Sequence, residues 1–201
     1  EQLEALAAWC RGAVGGVDLL VNNAGVAASG PFESIPPEDW AWIVDINLWG
    51  VVNGCRAFLP GMREQRRGQV INVASAAGLL SAPTMAPYNV TKSAVVALSE
   101  TLYAEYRRHG VNVTVLCPTF FQTGIMDSGR IQDGTDQRTA RSRMKASKVQ
   151  APQVARAALD AAAAGRLYCV PMQDGRMLWR MKRLAPELFA RLMTRTLGRR
   201  R

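Results

Sequence analysis

The sequence predicts an α/β protein built on a doubly wound parallel sheet, and three observations carry that prediction. Three short apolar runs stand apart in the chain: Val17 to Val21 (VDLLV), Val70 to Ala74 (VINVA) and Val111 to Cys117 (VNVTVLC). Each is closed by turn or small residues, as expected for strands buried on both faces. Two long helical stretches, 37–67 and 86–109, separate them, which gives the strand–helix–strand–helix–strand order of a parallel sheet. The chain has 201 residues, 48% of them apolar, enough for one sizeable core.

Taken in order, residues 1–13 set Leu3, Leu6, Ala7 and Trp9 among polar neighbours, a helix that Gly15 and Gly16 end. The VDLLV strand leads into Asn22-Asn23-Ala24-Gly25. Pro36 and Pro37 open the first long helix and Gly68 closes it; Gly110 stops the second. Residues 127–148 are rich in Asp, Arg, Ser, Gln and Gly without periodicity, so a flexible flap is expected there. An Ala-rich helix spans 151–164, and Leu167 to Pro171 (LYCVP) reads as a last strand. These segments make one domain, 1–175, followed by a tail, 176–201.

Composition narrows the function classes. No run of 18 apolar residues occurs, so no membrane-spanning helix is expected. The opening Glu1-Gln2-Leu3-Glu4 lacks the basic start of a secretory signal. The four cysteines, Cys10, Cys55, Cys117 and Cys169, are widely spaced, which suggests a reducing compartment and hence the cytoplasm. His109 is the only histidine, so no metal site or histidine-activated nucleophile is expected. The net charge of +9 is concentrated in the tail: residues 176–201 carry +8 and the preceding 175 residues +1.

The chemistry concentrates around the second strand and second long helix. Tyr88 and Lys92, four apart on a helix, project from one side. A neighbouring ammonium favours phenolate and should lower the tyrosine pKa toward the range where it exchanges a proton with an alcohol. Ser75, at the end of the VINVA strand, supplies a hydroxyl that can hold the same substrate oxygen.

Five motifs in this order and spacing resemble the short-chain dehydrogenase/reductase family over most of residues 1–171. They are Asn22-Asn23-Ala24-Gly25, the segment Asp45-Ile46-Asn47-Leu48-Trp49-Gly50, the segment Asn72-Val73-Ala74-Ser75-Ala76-Ala77-Gly78, the helix run Tyr88-Asn89-Val90-Thr91-Lys92, and Cys117-Pro118-Thr119-Phe120-Phe121-Gln122-Thr123. The resemblance implies a Rossmann-like fold and hydride transfer between NAD or NADP and an alcohol or carbonyl carbon. It implies Tyr88 as general acid/base, Lys92 as its partner and ribose ligand, Ser75 as orienter of the substrate oxygen, and Asn47 as holder of a relay water. Asn23, Ala24 and Gly25 would line the adenosine side of the cofactor cleft. Pro118, Phe121 and Thr123 would stand at the nicotinamide end.

Two departures from the family pattern matter. Pro118 is followed by Thr119 where the family has glycine, so the room beside the nicotinamide should be narrowed. Only 16 residues precede Val17, whereas the family's opening strands and Gly-rich turn need roughly 70 at about 30 per βαβ unit. The chain therefore resembles the carboxy-terminal two-thirds of such a domain, incomplete at its amino-terminal side, and the segment that chooses NAD or NADP is not among its motifs. One edge of the sheet should then be exposed.

Apolar residues after the serine (Leu79, Leu80, Pro83, Met85) and after the last motif strand (Phe120, Phe121, Ile125, Met126) suggest walls for a lipophilic alcohol or ketone. The tail spaces Met177, Leu178, Met181, Leu184, Leu188, Leu192 and Met193 at helical intervals among Arg and Lys, with Trp179, Phe189 and Leu197 broadening the stripe. Pro186 splits it into two short amphipathic helices. Such helices pack on their own domain, on a partner subunit, or on an anionic membrane surface; no nucleic-acid reading motif is present. The resemblance implies a homodimer or homotetramer on the two long helices, with Trp40, Trp42 and Trp49 as candidates for burial there. The alternative to an enzyme is a truncated, non-catalytic binding or scaffold module.

Overall fold

A computed structural model of the chain describes residues 1–132 and 134–198. The elements run α1 (Gln2–Val14), β1 (Leu19–Asn22), β2 (Ala28–Ser29), α2 (Pro37–Val44) and α3 (Gly50–Gln65), then β3 (Gly68–Val73), α4 (Ala76–Leu80), α5 (Ala86–Tyr106) and β4 (Val111–Leu116). There follow β5 (Arg130–Ile131), α6 (Gly134–Ala146), α7 (Ala151–Ala163), β6 (Tyr168–Cys169), α8 (Gln173–Leu184) and α9 (Pro186–Gly198).

Strands β1, β3, β4 and β6 form one sheet in the order β1-β3-β4-β6, every pair parallel. Because strand side chains alternate, successive residues of β3 feed two cores. Val70 joins Val95, Val113, Val115, Leu59 and Met62 under α3 and α5, while Ile71 joins Leu116, Val154, Ala158 and Ala161 under α7. Helices therefore cover both faces, and the doubly wound arrangement holds. The short ribbon β2-β5 stands apart from the main sheet.

Several expectations need correction. The VDLLV run is buried on one face only: Leu20 packs on the first core, but Leu19 and Val21 of the edge strand β1 are exposed. Their face lies beyond the reach of α7, which packs on β3, β4 and β6. The stretch 37–67 is helical from Pro37 to Gln65, but a π-helical turn over Asp45–Trp49 lies between α2 and α3. The aperiodic segment 127–148 contains β5 and α6. Met144 is buried, Arg141 Nη2 reaches Asp127 Oδ1 at 2.7 Å, and Gln137 Nε2 donates to the Met126 carbonyl. These tertiary contacts hold a helix that its polar sequence does not announce.

The tail forms two helices on either side of Ala185, as the Pro186 break predicts, and it docks. Trp179 lies 4.7 Å from the Tyr168 ring, Lys182 Nζ donates to the Leu79 carbonyl at 2.8 Å, and Phe189 is buried. Arg199, Arg200 and Arg201 lie outside the described residues. Of the three helix tryptophans, Trp42 sits under the Arg130 guanidinium at 4.2 Å, Trp40 meets Phe32 edge-on, and Trp49 is exposed.

Candidate active site

The site lies at the carboxyl ends of β1, β3 and β4, where open parallel sheets bind ligands. At β1, Asn22 pairs in register with Asn72 of β3, and its Nδ2 donates to Asn72 Oδ1 at 2.8 Å. Asn72 Nδ2 donates in turn to Ser99 Oγ on α5 at 3.0 Å. This buried chain fixes the strand end from which Asn23, Ala24 and Gly25 emerge. Asn23 and Ala24 are exposed, and Gly25 is half-buried.

Asn47 sits in the π turn, a distortion that often marks functional positions. Its side chain is fully buried and clasps one peptide unit on each side of Val26. The Val26 N–H donates to Asn47 Oδ1 at 2.8 Å, and Asn47 Nδ2 donates to the Val26 carbonyl at 2.9 Å. Asn47 Nδ2 also reaches Thr91 Oγ1 at 3.3 Å. A buried amide that satisfies a loop in both directions holds that loop in one place. The side chain's hydrogen bonds are thus directed to protein, and it is a clasp before it is anything else.

Ser75 caps α4: its extended backbone lets Oγ accept from the Ala77 N–H at 3.1 Å. The Ala76 N–H donates to the Pro118 carbonyl at 2.8 Å, which seats the cap on the loop after β4. Gly78 allows α4 to lie against α5 at Lys92 itself, since a Cβ at this position would stand 2.6 Å from the Lys92 carbonyl oxygen.

Tyr88 and Lys92 occupy the first two turns of α5, 8% and 3% exposed. Lys92 Nζ lies 5.7 Å from the Tyr88 ring centroid and donates to the Val73 carbonyl at 2.9 Å. Tyr88 is packed with Ala27, Ala28 and Ile43. Burial pushes its phenol up from the ordinary value, the Ser75 hydroxyl pulls it back down, and the neighbouring Cys117 thiol raises it again. The expectation that Lys92 lowers the tyrosine is therefore not met: desolvation of the phenolate dominates. Burial also brings Lys92 down to about 8, against a smaller upward pull from Cys117, so the lysine is itself poised to exchange a proton. Cys117 is pushed up to about 12 by its own burial.

Gly25 packs tightly against the lysine and Asn47. A Cβ at that position would stand 3.2 Å from Lys92 Nζ and 3.4 Å from Asn47 Oδ1. Among the described residues, the Val73 carbonyl is the acceptor that Lys92 Nζ meets. Glycine at position 25 is what lets the loop backbone come this close to the ammonium.

In the loop after β4, Thr119 is engaged with α8. Its Oγ1 donates to Asp174 Oδ1 at 3.2 Å, and its Cγ2 sits 2.7 Å from where a Cβ on Gly175 would be. The side chain thus turns toward the first turn of α8. Pro118 is buried, Phe121 packs with the core under α7, and Thr123 Oγ1 accepts from the Ile125 N–H at 3.3 Å. Of the apolar walls, Leu79 and Leu80 belong to the first core, while Met85 and Ile125 pack at the Tyr88 cluster. Phe120 is exposed beneath the Arg143 guanidinium at 5.5 Å.

The structure thus brings Asn47, Ser75, Tyr88, Lys92 and Gly25 together. Sequence reasoning missed Thr91, the Val73 carbonyl and the Asn22–Asn72 pair. For the pair a signal existed: Asn22 follows one apolar strand run and Asn72 interrupts the next, and parallel neighbours in register bring the two together.

The short chain dehydrogenase family model matches residues 1–133, and the chain belongs to that family. It is 40% identical over 116 residues to the inactive 2-(S)-hydroxypropyl-CoM dehydrogenase 2 of Xanthobacter autotrophicus, covering 58% of this chain and 50% of that one. It is 37% identical over 123 residues to the 3-ketodihydrosphingosine reductase of Bacteroides thetaiotaomicron, covering 61% and 46%. A short chain dehydrogenase/reductase of Burkholderia phymatum, solved in complex with NAD, superposes with a TM-score of 0.84 at 36% identity, covering 93% of this chain and 72% of that one. The chain spans about half the length of the curated relatives it matches.

Proposed function

We propose that the chain carries the catalytic side of an NAD- or NADP-dependent oxidoreductase acting on the alcohol or carbonyl group of a lipophilic substrate. The observation that carries this reading is the convergence of Tyr88, Ser75 and Lys92 on one buried spot, where Gly25 lets the loop backbone approach the ammonium. The cofactor, when bound, supplies the hydride chemistry, accepting a hydride from the carbinol carbon or giving one to the carbonyl carbon. Tyr88 Oη gives a proton to the substrate oxygen in reduction and takes it back in oxidation. A phenol held protonated by burial starts as the acid, which suits the reductive direction. Ser75 Oγ holds the same oxygen. Lys92 presents its unspent N–H donors to the cofactor's ribose and replaces the tyrosine proton. Asn47 keeps the Gly25–Val26 backbone at its distance from that ammonium. Asn23 and Ala24 border the adenosine end; Pro118, Phe121 and Thr123 border the nicotinamide end.

The apolar surroundings of Tyr88, with Met85 and Ile125 at its cluster, favour a lipophilic substrate. The relative named as a 3-ketodihydrosphingosine reductase points the same way. A homodimer or homotetramer across α3 and α5 is supported by the exposed Trp49 and Val90 at those helices. A second reading, a non-catalytic module, is favoured by the relative named inactive.

One substitution separates the two. Tyr88→Phe should lower the transfer of deuterium from a carbinol-deuterated alcohol to NAD or NADP by on the order of 10²–10⁴-fold, with the circular dichroism spectrum unchanged. Undiminished transfer would overturn the assigned role of Tyr88. Absence of transfer in the unsubstituted protein would favour the non-catalytic module.

A further inference from the structure

The carboxy-terminal helices have two faces built on different principles. On the inward face, Asp174, Trp179 and Lys182 of α8 are tied to Thr119, Tyr168 and the Leu79 carbonyl, and Phe189 of α9 is buried. Outward, Met177, Leu184 and Leu188 stand 64%, 87% and 54% exposed. Met177, Arg180 and Leu184 recur at steps of three and four, so they share one side of α8. Arg183 and Arg191 are exposed as well, and Glu187 is the only acid between residues 176 and 201.

A merely solvated helix face has no use for three large apolar side chains in water. The exposed Arg180, Arg183 and Arg191 of the same helices, in a tail that carries +8 against +1 for the rest of the chain, favour a partner of negative charge. An anionic lipid surface meets both. Leucine and methionine enter the boundary between headgroups and acyl chains, and guanidinium groups pair with lipid phosphates.

We propose that the outward face of α8 and α9 seats the protein on an anionic lipid leaflet. The inward side of the same α8 touches Thr119 and the end of α4, so the lipid-facing surface and the site loops share one helix. No helix of the described residues is long and apolar enough to cross a membrane; the attachment is peripheral.

Co-sedimentation with vesicles tests this without any reliance on turnover. The chain should bind phosphatidylcholine vesicles that contain phosphatidylglycerol and not those of phosphatidylcholine alone, and added salt should weaken the binding. Leu184→Glu combined with Leu188→Glu should weaken binding by about tenfold or more. Both residues are solvent-exposed, so the circular dichroism spectrum should not change. Leu159→Glu, at an exposed apolar position on α7, should bind as the unsubstituted chain does. Equal binding to both vesicle types, no binding to either, or binding undiminished in the double variant would overturn the proposal. So would a self-associated species in sedimentation velocity that the double variant abolishes, since that assigns the face to a second copy of the chain.

Discussion

Lys92 Nζ donates to the backbone carbonyl of Val73 at 2.9 Å, tying the second turn of α5 to the last residue of β3. Ser75 lies two residues beyond Val73 and Tyr88 one helical turn before Lys92. One hydrogen bond therefore sets the spacing of three groups carried on two elements. The ammonium that makes it is almost wholly buried, which is why its proton is held less tightly than that of an ordinary lysine.

A pH dependence of stability follows from that burial. Lys92 titrates at about 8 in the fold against 10.5 for an unperturbed lysine. Between those values the unfolded chain binds the extra proton, so the lysine's own contribution to stability should rise with pH across that window and level off above it. Cys55, Cys117 and Cys169, whose thiols burial pushes up, act oppositely above about pH 9, and Tyr88 above pH 10, because there the unfolded chain loses its protons first. Urea titrations should show a rise between about pH 8 and 9 in the unsubstituted chain and its loss in Lys92→Met. A rise that survives the substitution would assign it to another group.

Asn47→Ala removes both halves of the clasp on Val26 and leaves a buried N–H and carbonyl without partners. The expected cost is about 3 kcal/mol, read as a lower urea midpoint. Nicotinamide nucleotide binding should weaken too, because Gly25 is next in the chain to Val26. An unchanged midpoint would mean that the loop is held by something else.

At α8, the approach of Gly175 to Thr119 is close enough that any side chain must be accommodated. Gly175→Ala should cost about 1–3 kcal/mol through overpacking. Thr119→Ser removes the opposing Cγ2, so the double variant should recover most of that loss, a coupling visible in a double-mutant cycle. Simple additivity would show that the two residues do not meet.

Much of this was legible in the sequence, for identifiable reasons. The apolar runs around Val70 and Val113 are strands because both of their faces are buried, and continuous hydrophobicity encodes that directly. Tyr88 and Lys92 were findable because helix geometry turns a spacing of four into a shared side. What escaped depends on distant partners. Thr119 faces Asp174, 55 positions away, and no local pattern says so. The upward shift of Tyr88 comes from its packing against Ala27, Ala28 and Ile43, which belong to other elements. The π turn at Asn47 adds one residue to a helical turn without any compositional mark. The helix α6, mostly polar, is held by Met144 and by the Arg141–Asp127 pair.

The central claim is a nicotinamide site assembled from Lys92, Asn47 and the close approach of Gly25 to both. Calorimetric titration of the chain with NADH and with NADPH tests it most directly. The account predicts saturable binding of at least one nucleotide, weakened by Lys92→Ala and abolished by Gly25→Val, whose Cβ would stand 3.2 Å from the lysine nitrogen and crowd it. Binding that Gly25→Val leaves intact, or no binding of either nucleotide, would contradict it.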